Sequence, residues 1–220
     1  MTRRGKSLRV GANRRTSVPV LSVITDFLFV SIATYLVLDY GWTILFRPIS
    51  LLLVAREIFY TVYLLMALTF LAVRNNARNF TARRVDHLYT FLAFSAPLFF
   101  QPSSYSGPMF ARVLLEFVGL GFVVSAFLFL NRSFGLAPQN RGIKTAGVYR
   151  LVRHPMYLGY ILAYVGYVLD DFSNFNIFVL AASVLFLLLR LNAEERLLEQ
   201  DPAYKEYSEK TRWKLIPFLF

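Results

Sequence analysis

Two clusters of charged and aromatic residues in the C-terminal half of the chain have residue types and spacing suited to chemistry. The first is the stretch 147–159, Gly-Val-Tyr-Arg-Leu-Val-Arg-His-Pro-Met-Tyr-Leu-Gly, which runs directly into an apolar segment. Pro155 lacks an amide proton and has a preset φ angle, so it is typical of the first turn of a helix. The free amides of that turn and the positive end of the helix dipole would bind a carboxylate or a phosphate.

The second cluster is the stretch 190–196, Arg-Leu-Asn-Ala-Glu-Glu-Arg, where the next apolar segment ends. Arg190 and Glu194 lie four residues apart, so they share one face of a helix. An antiparallel hairpin would bring them beside the first cluster, and polar groups of both charges would meet at the mouth of an apolar bundle. Taken singly, the same residues also fit a snorkelling arginine, a surface carboxylate and boundary tyrosines. The convergence favours a binding site.

The composition is that of a membrane protein. Of the 220 residues 56% are hydrophobic, and the mean hydropathy is +0.49, which is too apolar for an ordinary soluble domain. A helix rises ~1.5 Å per residue and the hydrocarbon core is ~30 Å thick. We therefore predict an all-α fold, a polytopic membrane bundle of about six (five to six) transmembrane helices, with a re-entrant segment as the alternative for 88–100. The apolar runs are 18–38, 58–73, 88–100, 113–130, 157–169 and 175–191.

The basic residues are distributed unevenly between the two sides of such a bundle. Of the 24 Lys and Arg, six precede residue 18, four lie in 74–87, five in 131–153 and six from Arg190 onward. The other side receives only Arg47, Arg56 and Arg112. Positive residues favour the cytoplasmic side, so both termini and both clusters are predicted to be cytoplasmic, in a multi-pass protein of a prokaryotic inner membrane. The predicted parts are a basic tail (1–16), a four-helix transmembrane part (17–130) and a C-terminal hairpin with cytoplasmic segments (131–220).

Several function classes are excluded by composition. The net charge of +11 is explained by the positive-inside bias, so nucleic acid is not an expected partner, whereas membrane lipids are. The chain has no cysteine and two histidines, which argues against a metal site. Neither a phosphate-binding glycine loop nor a nucleophile elbow is present.

Taken together, the motifs resemble those of a known family. They are Gly-x-Tyr-Arg-x-x-Arg-His-Pro-x-Tyr-x-Gly, Arg-x-x-x-Glu-Glu, the Tyr-x-Glu-Tyr of 204–207 and the Ile-Pro of 216–217. Between residues 131 and 217 the chain resembles the isoprenylcysteine carboxyl methyltransferases, and phospholipid methyltransferases share much of this pattern. The resemblance implies methyl transfer from S-adenosyl-L-methionine to a lipophilic acceptor that enters from the bilayer. The acceptor group would be a carboxylate, as in isoprenylcysteine, or a lipid amine.

The resemblance also implies the site residues. Arg190 lies at the position that the family uses for the substrate carboxylate, and Arg190 and Glu194 are the expected catalytic residues. Glu194 would hold the amino group or ribose of the cofactor, while His154 and the helix start suit its carboxylate and Tyr149 or Tyr157 its adenine or sulfonium. The expected cofactor-binding residues are Gln139, Arg141, Gly142, Ile143, Lys144, Tyr149, His154, Pro155, Met156, Tyr157 and Glu194. Asp201-Pro202 replaces the family's Phe-Gly turn in a shorter connection.

Two other functions compete with this interpretation. Sterol reductases are similar in this region and use NADPH, but they need room for a second phosphate-bearing half of the nucleotide. A transporter or scaffold would place its polar groups near the middle of the membrane. The Arg-His-Pro-Met-Tyr sequence favours the methyltransferase over both.

Polar residues elsewhere in the bundle have simpler interpretations. Asp26 is either functional or neutralised by Ser22 or a loop arginine. Arg112 and Glu116 are predicted to pair across one helical turn, and Asp86-His87 to cap a helix and line an interface rather than form a catalytic dyad. Pro97 is predicted to kink the third helix, Gly119-Leu120-Gly121 to pack closely against another helix, and residues 215–220 to lie on the bundle or the membrane surface.

The charge distribution predicts a topology that reporter fusions can test. Fusions expected to report the cytoplasm follow Arg84, Asn140 and Phe220. Fusions expected to report the opposite side lie near Tyr40, Ser104 and Ser173. A cytoplasmic signal near Ser104 would exclude six spans.

Overall fold

The computed structural model describes residues 20–46, 51–81, 83–101, 103 and 109–218, without the side chains of 51–53, 55–57 and 59. The predicted tail 1–16, Arg47, the side chain of Arg56 and Ser104 lie outside this part. The described residues are mostly helical (76%) and form no closed sheet, so the all-α prediction is confirmed. The described helices are α1 (Val20–Phe46), α2 (Leu51–Ala72), α3 (Arg84–Ser95), α4 (Met109–Leu130), α5 (Pro155–Asp170), α6 (Asn174–Leu198) and α7 (Pro202–Lys210).

The apolar runs 113–130, 157–169 and 175–191 lie within α4, α5 and α6, and the described part of 18–38 lies within α1. The run 58–73 ends one residue after α2, and the run 88–100 continues past the end of α3 at Ser95. Three stretches among the described residues are long and apolar enough to cross a membrane: Val20–Phe46, Phe110–Ser133 and Asn174–Leu198. A shorter apolar stretch is Tyr60–Ala72. At ~1.5 Å per residue, the 16 residues of α5 and the 12 of α3 fall short of a ~30 Å core. The membrane character is thus supported, while the count of six spans stays a prediction.

Pro97 ends an α-helix rather than kinking one. The α conformation stops at Ser95 and the chain continues as a 3₁₀-helix over Ala96–Phe99. Proline has no amide hydrogen for the carbonyl four residues earlier, which explains the change.

Helices α4 and α5 pack with their backbones in contact. A Cβ atom on Gly159 would lie 2.4 Å from the carbonyl oxygen of Gly119, and one on Gly119 would lie 2.5 Å from that of Gly159. The predicted close packing at Gly119 is therefore confirmed. For Gly121 the prediction is wrong, because a Cβ there would meet no atom within 4 Å. Only one of the two glycines faces α5.

The end of the α5–α6 hairpin remote from the clusters is fixed by ion pairs and hydrogen bonds. Arg112 binds Glu116 (Nε–Oε1 3.3 Å), as predicted, and also Asp170 at the end of α5. Ser173 caps α6 by accepting a hydrogen bond from the amide of Asn176 (3.1 Å). The buried Asn176 amide group donates to the carbonyls of Gln101 (2.8 Å) and Asp171. These contacts hold the two helices in a single relative orientation.

The N-terminal and C-terminal halves also meet at the other end of the bundle. Strand β1 (Asn79–Phe80) pairs antiparallel with β2 (Gln139–Asn140), with Asn79 opposite Asn140. The buried Asp86 accepts hydrogen bonds from Thr81 Oγ1 (2.5 Å) and Arg196 Nη2 (3.0 Å). It therefore joins α3 to α6, as the interface prediction requires. The capping prediction is wrong, because α3 has no side-chain cap.

Candidate functional site

The helix start predicted at Pro155 is present. His154 has φ −125° and ψ 60°, outside the helical region, and α5 begins at the next residue. Upstream, Gly142 (φ +106°) and Gly147 (φ +60°) occupy the left-handed region that favours glycine. A Cβ on Gly147 would also lie 2.1 Å from the ring of Phe129. The segment before α5 thus turns tightly against α4, as the glycines predicted.

The hairpin brings the two clusters into direct contact. The hydroxyl of Tyr157 donates to Glu194 Oε2 at 2.6 Å, and His154 Nε2 lies 2.7 Å from Glu195 Oε1. The rings of His154 and Tyr157 are stacked, with centroids 5.4 Å apart. The neighbouring carboxylates on α6 therefore hold the two members of a stacked pair at the start of α5.

A polar cavity of about 90 Å³ lies between these groups. It is bounded by the link between α4 and α5, the start of α5, the end of α6 and one side of α7. Pro155 is buried but does not line it. Three residues of the quoted motifs that were not expected at the site, Arg153, Tyr204 and Tyr207, line it as well. The predicted residues that line it are Gln139, Arg141, Gly142, Ile143, Lys144, Tyr149, His154, Met156, Tyr157, Arg190 and Glu194.

Four buried nitrogen donors among the residues lining this cavity have no hydrogen-bond partner in the described part of the chain. They are Nε2 of Gln139 and the Nε atoms of Arg141, Arg153 and Arg190. A buried donor without a partner costs ~1–3 kcal/mol. With Glu194 in the same cavity, the donors suit a ligand that carries an anionic group and a cationic group.

Glu195 organises the site and was not assigned a role from the sequence. Its buried carboxylate pairs with Arg153 Nη1 (3.1 Å) and lies 4.0 Å from Lys214 Nζ. It also binds His154 and accepts a hydrogen bond from the Tyr204 hydroxyl. The signal was present in the Glu-Glu pair, but adjacent residues on a helix point in different directions, and sequence alone does not say which one faces inward.

The C-terminal segment fixes the same region. The amide of Arg153 donates to the carbonyl of Trp213, and that of His154 to the carbonyl of Lys214, both at 2.9 Å. Leu215 is buried in a cluster with Tyr157 and Leu191. The predicted contact of this segment with the bundle is therefore confirmed for Leu215, while residues 219–220 lie outside the described part.

Helix α7 covers the polar cavity despite the shorter connection before it. The Asp201 carboxylate caps α7 by accepting from the amide of Ala203 (3.0 Å), and it accepts from Asn140 Nδ2 at 2.7 Å. The Tyr207 hydroxyl donates to the carbonyl of Tyr149 at 2.6 Å. Burial, and next the charge of Glu195, raise the pKa of Tyr204 well above its ordinary value. The phenol thus stays protonated and keeps donating to Glu195.

A second, larger cavity of about 430 Å³ lies among α1, α2, α3, α5 and α6. Its walls are mainly apolar and aromatic, although Glu116 also lines them, and they include the hydrogen-bonded hydroxyls of Tyr63 and Tyr160, 3.0 Å apart. Arg190 lines both cavities and is 4% exposed. Its Nη2 donates to the carbonyl of Leu136 (2.7 Å), and its guanidinium lies over the rings of Phe94 (4.8 Å) and Tyr157 (5.1 Å). One cation therefore separates an apolar cavity from a polar one.

We expect Glu195→Gln to lower the thermal stability of the purified protein more than any exposed change on α6. Removing one partner of a buried ion pair typically costs ~3–5 kcal/mol, because the other charge stays buried. Thermal unfolding in detergent would measure the difference, with Glu199→Gln, at the exposed residue that follows α6, as the control. Equal midpoints for the two variants would show that Glu195 does not hold the site together.

The comparisons with known proteins agree with the motifs. The sequence model of a family described as phospholipid methyltransferase matches residues 109–205, from the start of α4 into α7. Every predicted site residue lies within this match, whereas no curated protein matches the chain. Residues 109–205 are therefore similar to the phospholipid methyltransferases, the relationship that the His-Pro-x-Tyr and Glu-Glu motifs indicated.

Proposed function

We propose that the protein transfers a methyl group from S-adenosyl-L-methionine to a lipophilic acceptor taken from the membrane. The observation that supports this most directly is the position of Arg190, which lines both cavities. A ligand in the apolar cavity and a ligand in the polar cavity would meet at this side chain. Two substrates of different polarity can thus react without either leaving its preferred surroundings.

The polar cavity fits the chemistry of this cofactor. The unpartnered donors of Gln139, Arg141 and Arg153 suit its carboxylate. Glu194 suits its amino group or ribose hydroxyls, and the aromatic faces of Tyr149 and Tyr157 suit the adenine or the sulfonium. Ligand pockets usually measure ~300–1,000 Å³, so we expect binding to move α7 or the link before α5 outward and widen the cavity of about 90 Å³.

The acceptor that these residues favour is a carboxylate on an apolar chain. The cavity of about 430 Å³ is lined mainly by apolar and aromatic side chains, which suit such a chain. The guanidinium of Arg190 at its polar end attracts an anion and repels an ammonium group. A lipid amine is the second candidate, because the description of the matching family is phospholipid methyltransferase.

The bound cofactor would supply an electrophilic methyl group. Arg190 would hold the acceptor carboxylate at the boundary between the cavities and orient one of its oxygens. A carboxylate is itself a nucleophile, so no general base is needed. The apolar and aromatic walls exclude water from the charge that reacts. Positioning and desolvation would therefore provide most of the rate enhancement.

Other properties of the chain are part of the same proposal. We infer that the polar cavity opens to the cytoplasm and that both termini are cytoplasmic, in the inner membrane of a prokaryote, since most basic residues lie at that end. Membrane lipids surround the protein, and neither a metal nor a nucleic acid takes part. The reductase is the alternative function, and the Arg-His-Pro-Met-Tyr sequence favours the methyltransferase over it.

Glu194→Gln should weaken the binding of S-adenosylhomocysteine. A charge-assisted hydrogen bond is worth ~1.5–3 kcal/mol, which corresponds to roughly a tenfold to hundredfold higher Kd. Isothermal titration of the detergent-solubilised protein would measure it, with Glu199→Gln just after the same helix as the control and with NADPH as the competing ligand. Binding of NADPH in place of S-adenosylhomocysteine would support the reductase instead.

Arg190→Lys should separate acceptor recognition from cofactor binding. Lysine keeps the charge but cannot reproduce the two-pronged geometry of a guanidinium. We expect nearly unchanged affinity for S-adenosylhomocysteine and a strong loss of methyl transfer to an isoprenylcysteine-type carboxylate. Arg196→Lys, on the same helix but paired with Asp86, is the control. A wild-type rate in Arg190→Lys would show that Arg190 does not hold the acceptor carboxylate.

A further inference from the structure

The first membrane-spanning helix carries a carboxylate that the proposed reaction does not use. Asp26 lies about two turns from the start of α1, and its Oδ2 is 2.5 Å from Nη2 of Arg74. The side chains are 14% and 20% exposed. A carboxylate inside a membrane-spanning helix is costly and is usually retained for a function. Two partners were predicted as alternatives for neutralising this carboxylate, Ser22 or a loop arginine. In the structure the partner is the arginine, Arg74.

The segment that carries Arg74 leads directly to the polar cavity. The carbonyl of Asn75, the next residue, accepts a hydrogen bond from Arg141 Nη1. The amide of Asn75 donates to the carbonyl of Arg132 (2.7 Å), and Arg132 Nε donates to the carbonyl of Val73 (2.9 Å). The link after α2 is therefore docked on the link after α4, with Arg141 as one of the contacts.

The positive charges of Arg74 and Arg141 repel each other across this contact. Burial, and then the positive charge of Arg74, lower the pKa of Arg141 to about 10, while the negative charge of Asp26 acts in the opposite direction. Arg141 Nη2 donates to Gln139 Oε1 (2.6 Å), and both side chains line the polar cavity. Asp26 thus offsets the repulsion by Arg74 that would otherwise move the guanidinium of Arg141 from its observed position.

Helix α1 is at the same time a wall of the apolar cavity. Thr25, next to Asp26, and Phe29, one turn later, both line it. A change in the position of α1 when the apolar cavity is occupied would therefore act on Arg74 through the ion pair. Arg74 would in turn act on Arg141 through the Asn75 carbonyl.

We propose that Asp26 is a positioning residue that fixes Arg141 in the cofactor cavity through Arg74, and so couples the wall of the acceptor cavity to cofactor binding. This inference rests on the proposed function, because it assigns Arg141 to the cofactor. It adds a role for the N-terminal half of the chain, which lies outside the family match of residues 109–205.

The test is the affinity for S-adenosylhomocysteine of two Asp26 variants of the full-length protein, measured by isothermal titration. Asp26→Asn should raise the Kd about tenfold, within the range of typical coupling energies. Asp39→Asn, an exposed carboxylate on the same helix, should leave it unchanged. The double variant Asp26→Asn with Arg74→Gln removes both charges, so Arg141 is no longer repelled and the Kd should return close to the wild-type value.

The double variant also separates positioning from a purely structural role. It leaves no unpaired charge, so it should fold even if Asp26→Asn alone does not. Recovery of affinity in the double variant supports the proposal. Wild-type affinity in folded Asp26→Asn, or weak binding in the folded double variant, would overturn it. Failure of the wild type to bind S-adenosylhomocysteine would overturn the proposed function and this inference together.

Discussion

Charged groups that are buried at the end of apolar helices must be neutralised, and this requirement organises the polar end of the bundle. Glu195 meets it by binding groups from three parts of the chain: Arg153 and His154 before α5, Tyr204 on α7, and Lys214 in the C-terminal segment. An unpaired carboxylate there would cost several kcal/mol. The C-terminal segments are therefore folded onto the end of α6 by the same charge that orients the start of α5.

The packing of α5 on α4 also supports the site. Gly119 and Gly159 let the backbones of α4 and α5 touch, and Arg112 with Asp170 closes the end remote from the clusters. Since backbones in contact cannot slide without a clash, the register of α5 against α4 is fixed. Tyr157, two residues before Gly159, is therefore held at a fixed height along α4.

Much of this arrangement could be predicted from the sequence, because its causes are local. Apolar runs predict helices, Pro155 predicts a helix start, and a short polar link predicts a hairpin. Together these features predicted that Tyr157 and Glu194 lie close together. The pairs Asp26 with Arg74 and Asn79 with Asn140 join segments remote in sequence, and no periodicity encodes such partners. The role of Glu195 and the open surroundings of Gly121 depend on helix rotation, which a symmetric motif such as Glu-Glu or Gly-Leu-Gly leaves undetermined.

The positions of the hydrogen-bond donors without partners indicate which side chains would bind each of the two proposed substrates. If Arg190 bound the cofactor carboxylate, the acceptor would meet no cation in the apolar cavity. Under the proposed function, the unpartnered donors of Gln139, Arg141 and Arg153 would bind the cofactor carboxylate on the polar side and leave Arg190 for the acceptor. The Nη2 of Arg190 is held by the Leu136 carbonyl, and its stacking between Phe94 and Tyr157 keeps the guanidinium plane fixed. A cation held this rigidly loses little entropy when it binds an anion, which is what selection of a carboxylate in an apolar cavity requires.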